Sequence, residues 1–129
     1  MTIAEVSKLL DISPDTLRYY ERIGLIPPVR RNKSGIRNYE ERDLGWVRFA
    51  KCMRAAGISI EALIEYVALF QQGDDTIATR KQILVDQRNE LVKKIEEMRT
   101  TLEYLDTKLE HYEDILVPKE RALAEDNEH

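Results

Sequence analysis

Between Thr16 and Tyr39 the chain gathers Arg18, Tyr19, Tyr20 and Arg22, then Arg30, Arg31, Lys33, Arg37 and Tyr39. Guanidinium and ammonium groups neutralise phosphates, and phenolic hydroxyls bond phosphate oxygens or base edges. The set therefore suits a nucleic-acid backbone with one groove to read. A solvated basic face on an ordinary helical domain would use the same residue types. Cys52, the sole cysteine, is a second centre of chemistry. Arg48 lies one helical turn earlier on its face and favours the thiolate, which is the nucleophilic form, while Ala55 and Ala56 leave room for an adduct. Lys51 and Arg54 add positive potential from other faces. On chemistry alone, an inert core cysteine is the better reading.

These residues need elements to hold them. Ser13 is a good N-cap, Pro14 fits a first helical position, and Gly24 with Pro27-Pro28 stops the helix, so Pro14 to Ile23 reads as one short helix. Before it, Thr2 and Glu5 have capping-box spacing and open a helix whose Ile3, Val6, Leu9 and Leu10 share a face. The Asp11-Ile12 connection is tight enough for a helix-turn-helix, although it lacks the usual glycine. Val29 to Asn32 and Gly35 to Tyr39, turning at Lys33-Ser34-Gly35, predict a small β-hairpin wing. A third helix is expected over 41–56 with Leu44, Val47 and Trp46 inward. A fourth, capped by Ser59, runs from Ile60 to about Gln72.

The longest periodic signal follows Thr76. Leu84, Leu91, Met98, Leu105 and Tyr112 recur every seven residues, with Arg88, Ile95, Leu102 and Leu109 interleaved. Eight of these nine positions are apolar or aromatic and no Gly or Pro interrupts them, so the pattern predicts one helix from Thr76 to about Glu113, roughly 55 Å long. A stripe of that length needs a partner helix, most simply the same helix of a second copy; an intrachain hairpin would need a turn signal inside the run. Arg88 either sets the register or snorkels. Pro118 is expected to end the helix and to leave a polar, frayed tail. The divisions expected are 1–40 (reading head), 41–73 (connector helices), 76–116 (dimerisation helix) and 117–129 (tail), in a mainly α chain.

The charge is divided along the chain. The formal net charge of −4 splits into 11 Lys/Arg against 7 Asp/Glu over residues 1–56, and 9 against 17 over residues 57–129. A basic front and an acidic rear argue for a nucleic-acid-facing half. One cysteine excludes an intrachain disulfide scaffold. The absence of a signal-peptide pattern and of a bilayer-length apolar run makes a cytoplasmic protein with no membrane partner the expectation. No nucleophile-base-acid set or Gly-rich phosphate loop is visible, which argues against an enzyme and calls for no cofactor.

Three linked segments, LRYYERIGLIPP (Leu17 to Pro28), RRNKSGIRNY (Arg31 to Tyr39 within it) and CMRAAGISIEAL (Cys52 to Leu63), resemble the MerR family of bacterial transcription regulators. That resemblance implies a winged helix-turn-helix, a two-helix connector and an antiparallel coiled-coil homodimer. It also implies a near-palindromic promoter with an over-long spacer, distorted so that RNA polymerase can engage it. Matched residue by residue, Thr16, Arg18 and Tyr19 fall on recognition-helix positions that reach bases or phosphates. Tyr20 supports that helix and contacts backbone, Arg31 and Arg37 are wing positions, Tyr39 anchors the wing, and Arg54 contacts phosphate from the connector. Lys33 joins them as a basic residue of the wing turn. Tyr19 or Tyr20 can equally serve as core.

The chain looks most like the aldehyde-responsive, thiol-based branch of that family, in which a cysteine matching Cys52 reacts with electrophiles. This resemblance reverses the inert reading of Cys52. The cysteine pair of metal-sensing members is missing, and His111 with Glu110 and Asp114 makes an incomplete zinc set, so no metal site is expected. The competing readings are a regulator of another stimulus with Cys52 as core, and a coiled-coil adaptor whose basic front meets an acidic protein.

Overall fold

Thr2 opens α1 (Ile3–Leu10). Its hydroxyl accepts the Glu5 N–H at 3.1 Å, and the Glu5 carboxylate accepts the Thr2 N–H at 2.9 Å, the reciprocal pair expected from their spacing. These bonds hold the Glu5 carboxyl below its ordinary value. Asp11 closes α1 in the left-handed region at φ 52°, so an aspartate does what a glycine would do in this turn. Ser13 then caps α2 (Pro14–Ile23), accepting the Thr16 N–H at 3.1 Å. Gly24 ends α2 at φ 85°, and the Leu25 N–H returns to the Tyr20 carbonyl at 2.8 Å.

The computed structural model describes residues 1–128. The chain divides into two units, Met1–Leu91 and the segment from Val92 onward. The core of the first unit gathers Val6, Leu17, Leu25, Ile26, Tyr39, Leu44 and Val47, all essentially buried. Ile3 and Leu10 pack against its edge. Leu9, expected on the same face, is 55% exposed, because it falls off the stripe that Ile3, Val6 and Leu10 make at helical spacing. α3 (Glu41–Ala55) and α4 (Ile60–Gln72) follow the core helices. The rings of Trp46, Phe49, Tyr66 and Phe70 pack between them in four ring contacts, with centroids 4.8 to 6.2 Å apart.

The wing is smaller than expected. Only an isolated antiparallel bridge, Arg31 to Arg37, stands where a hairpin was predicted. Asn32 explains the difference: its side-chain oxygen accepts the N–H groups of Ser34 and Ile36, satisfying locally donors that a longer ladder would have used.

After a 3-10 turn at Asp74–Thr76, α5 runs from Ile77 to Glu110. Thr76 is buried, and its hydroxyl lies 2.7 Å from the Leu69 carbonyl near the end of α4. The helix stops short of the expected Glu113 and of the 76–116 boundary. A π-helical turn occupies Tyr112–Leu116, and α6 (Val117–Glu128) replaces the frayed tail expected from 117. Pro118 is the physical reason. Inside a continuous helix it would remove an N–H bond to the carbonyl four residues back, whereas in the first turn of a new helix that N–H is not needed. No residue of α5 is buried within this chain. Among the described residues no helix is long and apolar enough to cross a membrane.

Candidate nucleic-acid interface

The cap at Ser13 points the N-terminal turn of α2 outward. Thr16 is held there, with its hydroxyl 2.8 Å from that of Ser13. Arg18 donates to Asp15 at 2.9 Å, both side chains being largely exposed, so solvent screens the pair and phosphate or a base can replace it. Tyr19 is 38% exposed, and the Arg22 guanidinium sits 5.5 Å from its ring centroid. Asp15, Arg18, Tyr19 and Arg22 are therefore the exposed set of α2, with Thr16 half-buried beside its cap.

Other expected contact residues hold the scaffold. Tyr20 and Tyr39 are buried, at 8% and 1% exposure, and burial pushes both phenols up, with nearby cations opposing the shift. Both rings are therefore packed into the scaffold of the head in this chain, not displayed on its surface. The Tyr39 hydroxyl is buried without a hydrogen-bond partner among the described residues. Arg37 is not a free wing cation either: its Nε donates to Glu21 at 2.6 Å, and both side chains are mostly buried. Arg31 donates to the Gly35 carbonyl at 2.8 Å and stitches the turn, while Lys33 stands exposed at its tip. Gly35 takes φ 79° there, a conformation that a side chain would strain. Arg54 donates to the Ile58 carbonyl at 2.6 Å and so holds the turn between α3 and α4.

Glu21 is the residue that reading by type missed. Besides Arg37 it accepts the Val29 N–H at 3.2 Å, so one carboxylate ties both sides of the wing to α2. A lone acid inside a basic stretch was the available signal. Glu21→Ala leaves a guanidinium and a backbone N–H without their partner, and is expected to cost about 1–3 kcal/mol in urea unfolding.

Cys52 is exposed, so it is not core filler. It borders an open hollow of about 400 Å³ with Leu9, Leu10, Arg48, Lys51 and Ala55. Lys51, expected on another face, lines the same hollow, because its chain reaches back to donate to the carbonyls of Leu10 at 2.6 Å and Asp11 at 3.1 Å. It thereby caps the C-terminal end of α1, where a cation complements the exposed carbonyls.

Comparison with known proteins agrees with this geometry. Residues 1–69 match the MerR HTH family regulatory protein and residues 44–108 match the MerR DNA-binding region. The HTH-type transcriptional regulator AdhR of Bacillus subtilis (strain 168) is 59% identical over 92 residues, which span 71% of this chain and 66% of AdhR. The crystal structure of a MerR family transcriptional regulator from Listeria monocytogenes shares the fold at a TM-score of 0.86 and 46% identity, covering 98% of this chain and 96% of that one. HiNmlR, a MerR family regulator lacking the sensor domain and crystallised bound to promoter DNA, matches at a TM-score of 0.79 and 30% identity over 90% and 92% of the two chains. The capped, outward-facing helix, the clamped wing and the connector thus have a single explanation: the chain belongs to the MerR family of helix-turn-helix regulators.

Proposed function

We propose that this MerR-type DNA-binding transcription regulator acts in the cytoplasm as an antiparallel homodimer, and that electrophiles such as aldehydes control it through Cys52. The observation that carries the reading is the placement of Cys52 on α3, exposed, in a hollow shared with Arg48 and Lys51. The thiol adds to an aldehyde carbonyl, forming a C–S bond while the carbonyl oxygen gains the proton. The adduct lies beside Lys51, whose ammonium holds the end of α1, so chemistry at the thiol reaches the reading head within one side-chain length. Resemblance to the aldehyde-responsive branch supports the choice of electrophile, and oxidation of the same thiol would act through the same contacts.

Dimerisation is supported by the stripe on α5 and by its charge. Arg80 to Lys94 holds five Lys/Arg against two Asp/Glu, whereas Glu96 to Asp114 holds two against seven. An antiparallel pair sets the basic half of each helix against the acidic half of the other, while a parallel pair would oppose like charges. Two heads at a fixed separation suit a near-palindromic promoter. Bending and untwisting an over-long spacer between them then realigns its elements for RNA polymerase, at a deformation cost that the reaction of Cys52 shifts.

A footprint of the chain's own promoter, taken with and without formaldehyde, tests the reading: a protected palindrome with altered central reactivity on exposure is expected. On the operator so defined, Arg18→Ala is expected to weaken binding by about 1–3 kcal/mol, as for a guanine-pairing arginine, measured by gel shift at fixed salt. An unchanged affinity would assign Arg18 to the scaffold.

A further inference from the structure

Two nucleophiles of different kinds share the hollow on α3, the Cys52 thiol and the Lys51 amine. Consecutive positions on a helix do not face each other, so a short side chain at position 51 would miss that hollow. The long, flexible stem of lysine instead carries its nitrogen back to α1, where Nζ lies 2.6 Å from the Leu10 carbonyl oxygen and 3.1 Å from that of Asp11. Leu10 is itself a wall of the hollow. Arg48, the other cation there, keeps its charge and offers no amine. Among the residues lining the hollow, Lys51 is therefore the group able to condense with an adduct on sulfur.

We propose that both groups capture a small aldehyde, which ends as a one-carbon bridge between Cys52 Sγ and Lys51 Nζ. This rests on the reading of Cys52 as the aldehyde-reactive thiol and adds Lys51 as a second site of modification. With formaldehyde, the Cys52 sulfur bonds to the carbonyl carbon and the oxygen takes a proton, giving an S-hydroxymethyl group. The Lys51 ammonium gives a proton to water, and the amine then bonds to the same carbon as the hydroxyl departs, protonated, as water. Thiol, ammonium and formaldehyde thus yield an S–CH2–NH link, one water and one released proton, with no oxidant or reductant. The bridged nitrogen shares its carbon with sulfur, is a weaker base than lysine, and is drawn toward Cys52. The end of α1 then loses the cation that held its last carbonyls. Those carbonyls flank the Asp11 turn that leads into α2, so the reaction reaches the reading head as a lost tie.

Intact mass of the full chain after limiting formaldehyde, followed by trypsin digestion, tests the bridge. Wild type is expected to gain the mass of one carbon atom, that is, one formaldehyde less one water. Trypsin is expected to skip Lys51 and release residues 49–54 as a single peptide carrying that carbon. Lys51→Arg keeps a cation able to reach the same carbonyls but has no amine. It is expected to stop at the whole formaldehyde mass on Cys52 and to lose it on dilution. Wild type blocked beforehand with iodoacetamide is expected to form no bridge. A wild-type chain that carries only the whole formaldehyde mass on Cys52, or a Lys51→Arg chain that still gains one carbon there, overturns the proposal and leaves the thiol reading standing. No addition to Cys52 at all ends both. Hydrogen exchange over 8–13 supplies a second measurement. Faster exchange in the bridged protein than in the iodoacetamide-blocked protein is expected, and equal exchange overturns the release of α1.

Discussion

A chain carrying Leu102→Lys and Leu109→Lys sediments as a single protomer at micromolar concentration and binds its operator roughly 10²–10⁴-fold more weakly, the loss expected when two linked heads become independent. The reasoning starts from exposure. Leu102 and Leu109 are 57% and 69% exposed in the single chain, so nothing within the protomer depends on burying them. Two lysines in the seam must instead be desolvated or expelled on pairing, and each removes an apolar contact worth about 1.5–3 kcal/mol when fully buried. Lysine is a good helix former, so α5 itself should persist. The thermal transition of the head, whose core is Val6, Leu17, Leu44 and their neighbours, is therefore expected to remain. A double variant that still sediments as a dimer would disprove pairing through this stripe.

Cys52→Ala retains operator binding and loses induction, with promoter output under formaldehyde or methylglyoxal staying at the uninduced level. Binding is expected to persist because Cys52 is exposed and outside the core, and the groups that hold α2 and the wing (Ser13, Glu21, Gly24) do not touch it. Induction is expected to vanish because the chain has no other thiol. Intact-mass measurement after limiting aldehyde exposure places the adduct: one addition on the wild type and none on the variant. Equal induction in the two proteins would end the thiol model and leave the DNA-binding regulator standing. Arg48→Ala and Lys51→Ala refine the result, since each removes a cation that borders the hollow holding Cys52 and is expected to slow addition there.

Short-range rules carried much of the site. The Thr2–Glu5 box, the Ser13 cap, the Gly24 stop and the start of α4 at Ile60 follow from side-chain and backbone groups at most four residues apart, and each stands where its spacing placed it. The boundary after Glu110 was misread for a reason of the same kind. Pro118 signals a break but does not say on which side the helix resumes, and the π-turn at Tyr112–Leu116 followed by α6 settles that. Residue type alone also did not separate exposed cations from paired ones. Arg37 and Lys33 look alike in a basic run, yet one is clamped by Glu21 from sixteen positions away and the other is free to meet a phosphate.

Composition, capping and heptad spacing were thus enough for a mainly helical chain with a basic front and a long helix carrying an exposed apolar stripe, because those features depend on neighbours along the chain. Long-range packing determined which tyrosines are structural, that Glu21 holds the wing, that Cys52 is exposed, and that Lys51 joins its hollow by reaching back to α1. The physical reason is that burial and ion pairing depend on distances between residues far apart in sequence, and those distances exist only once the core around Leu17 and Leu44 has closed.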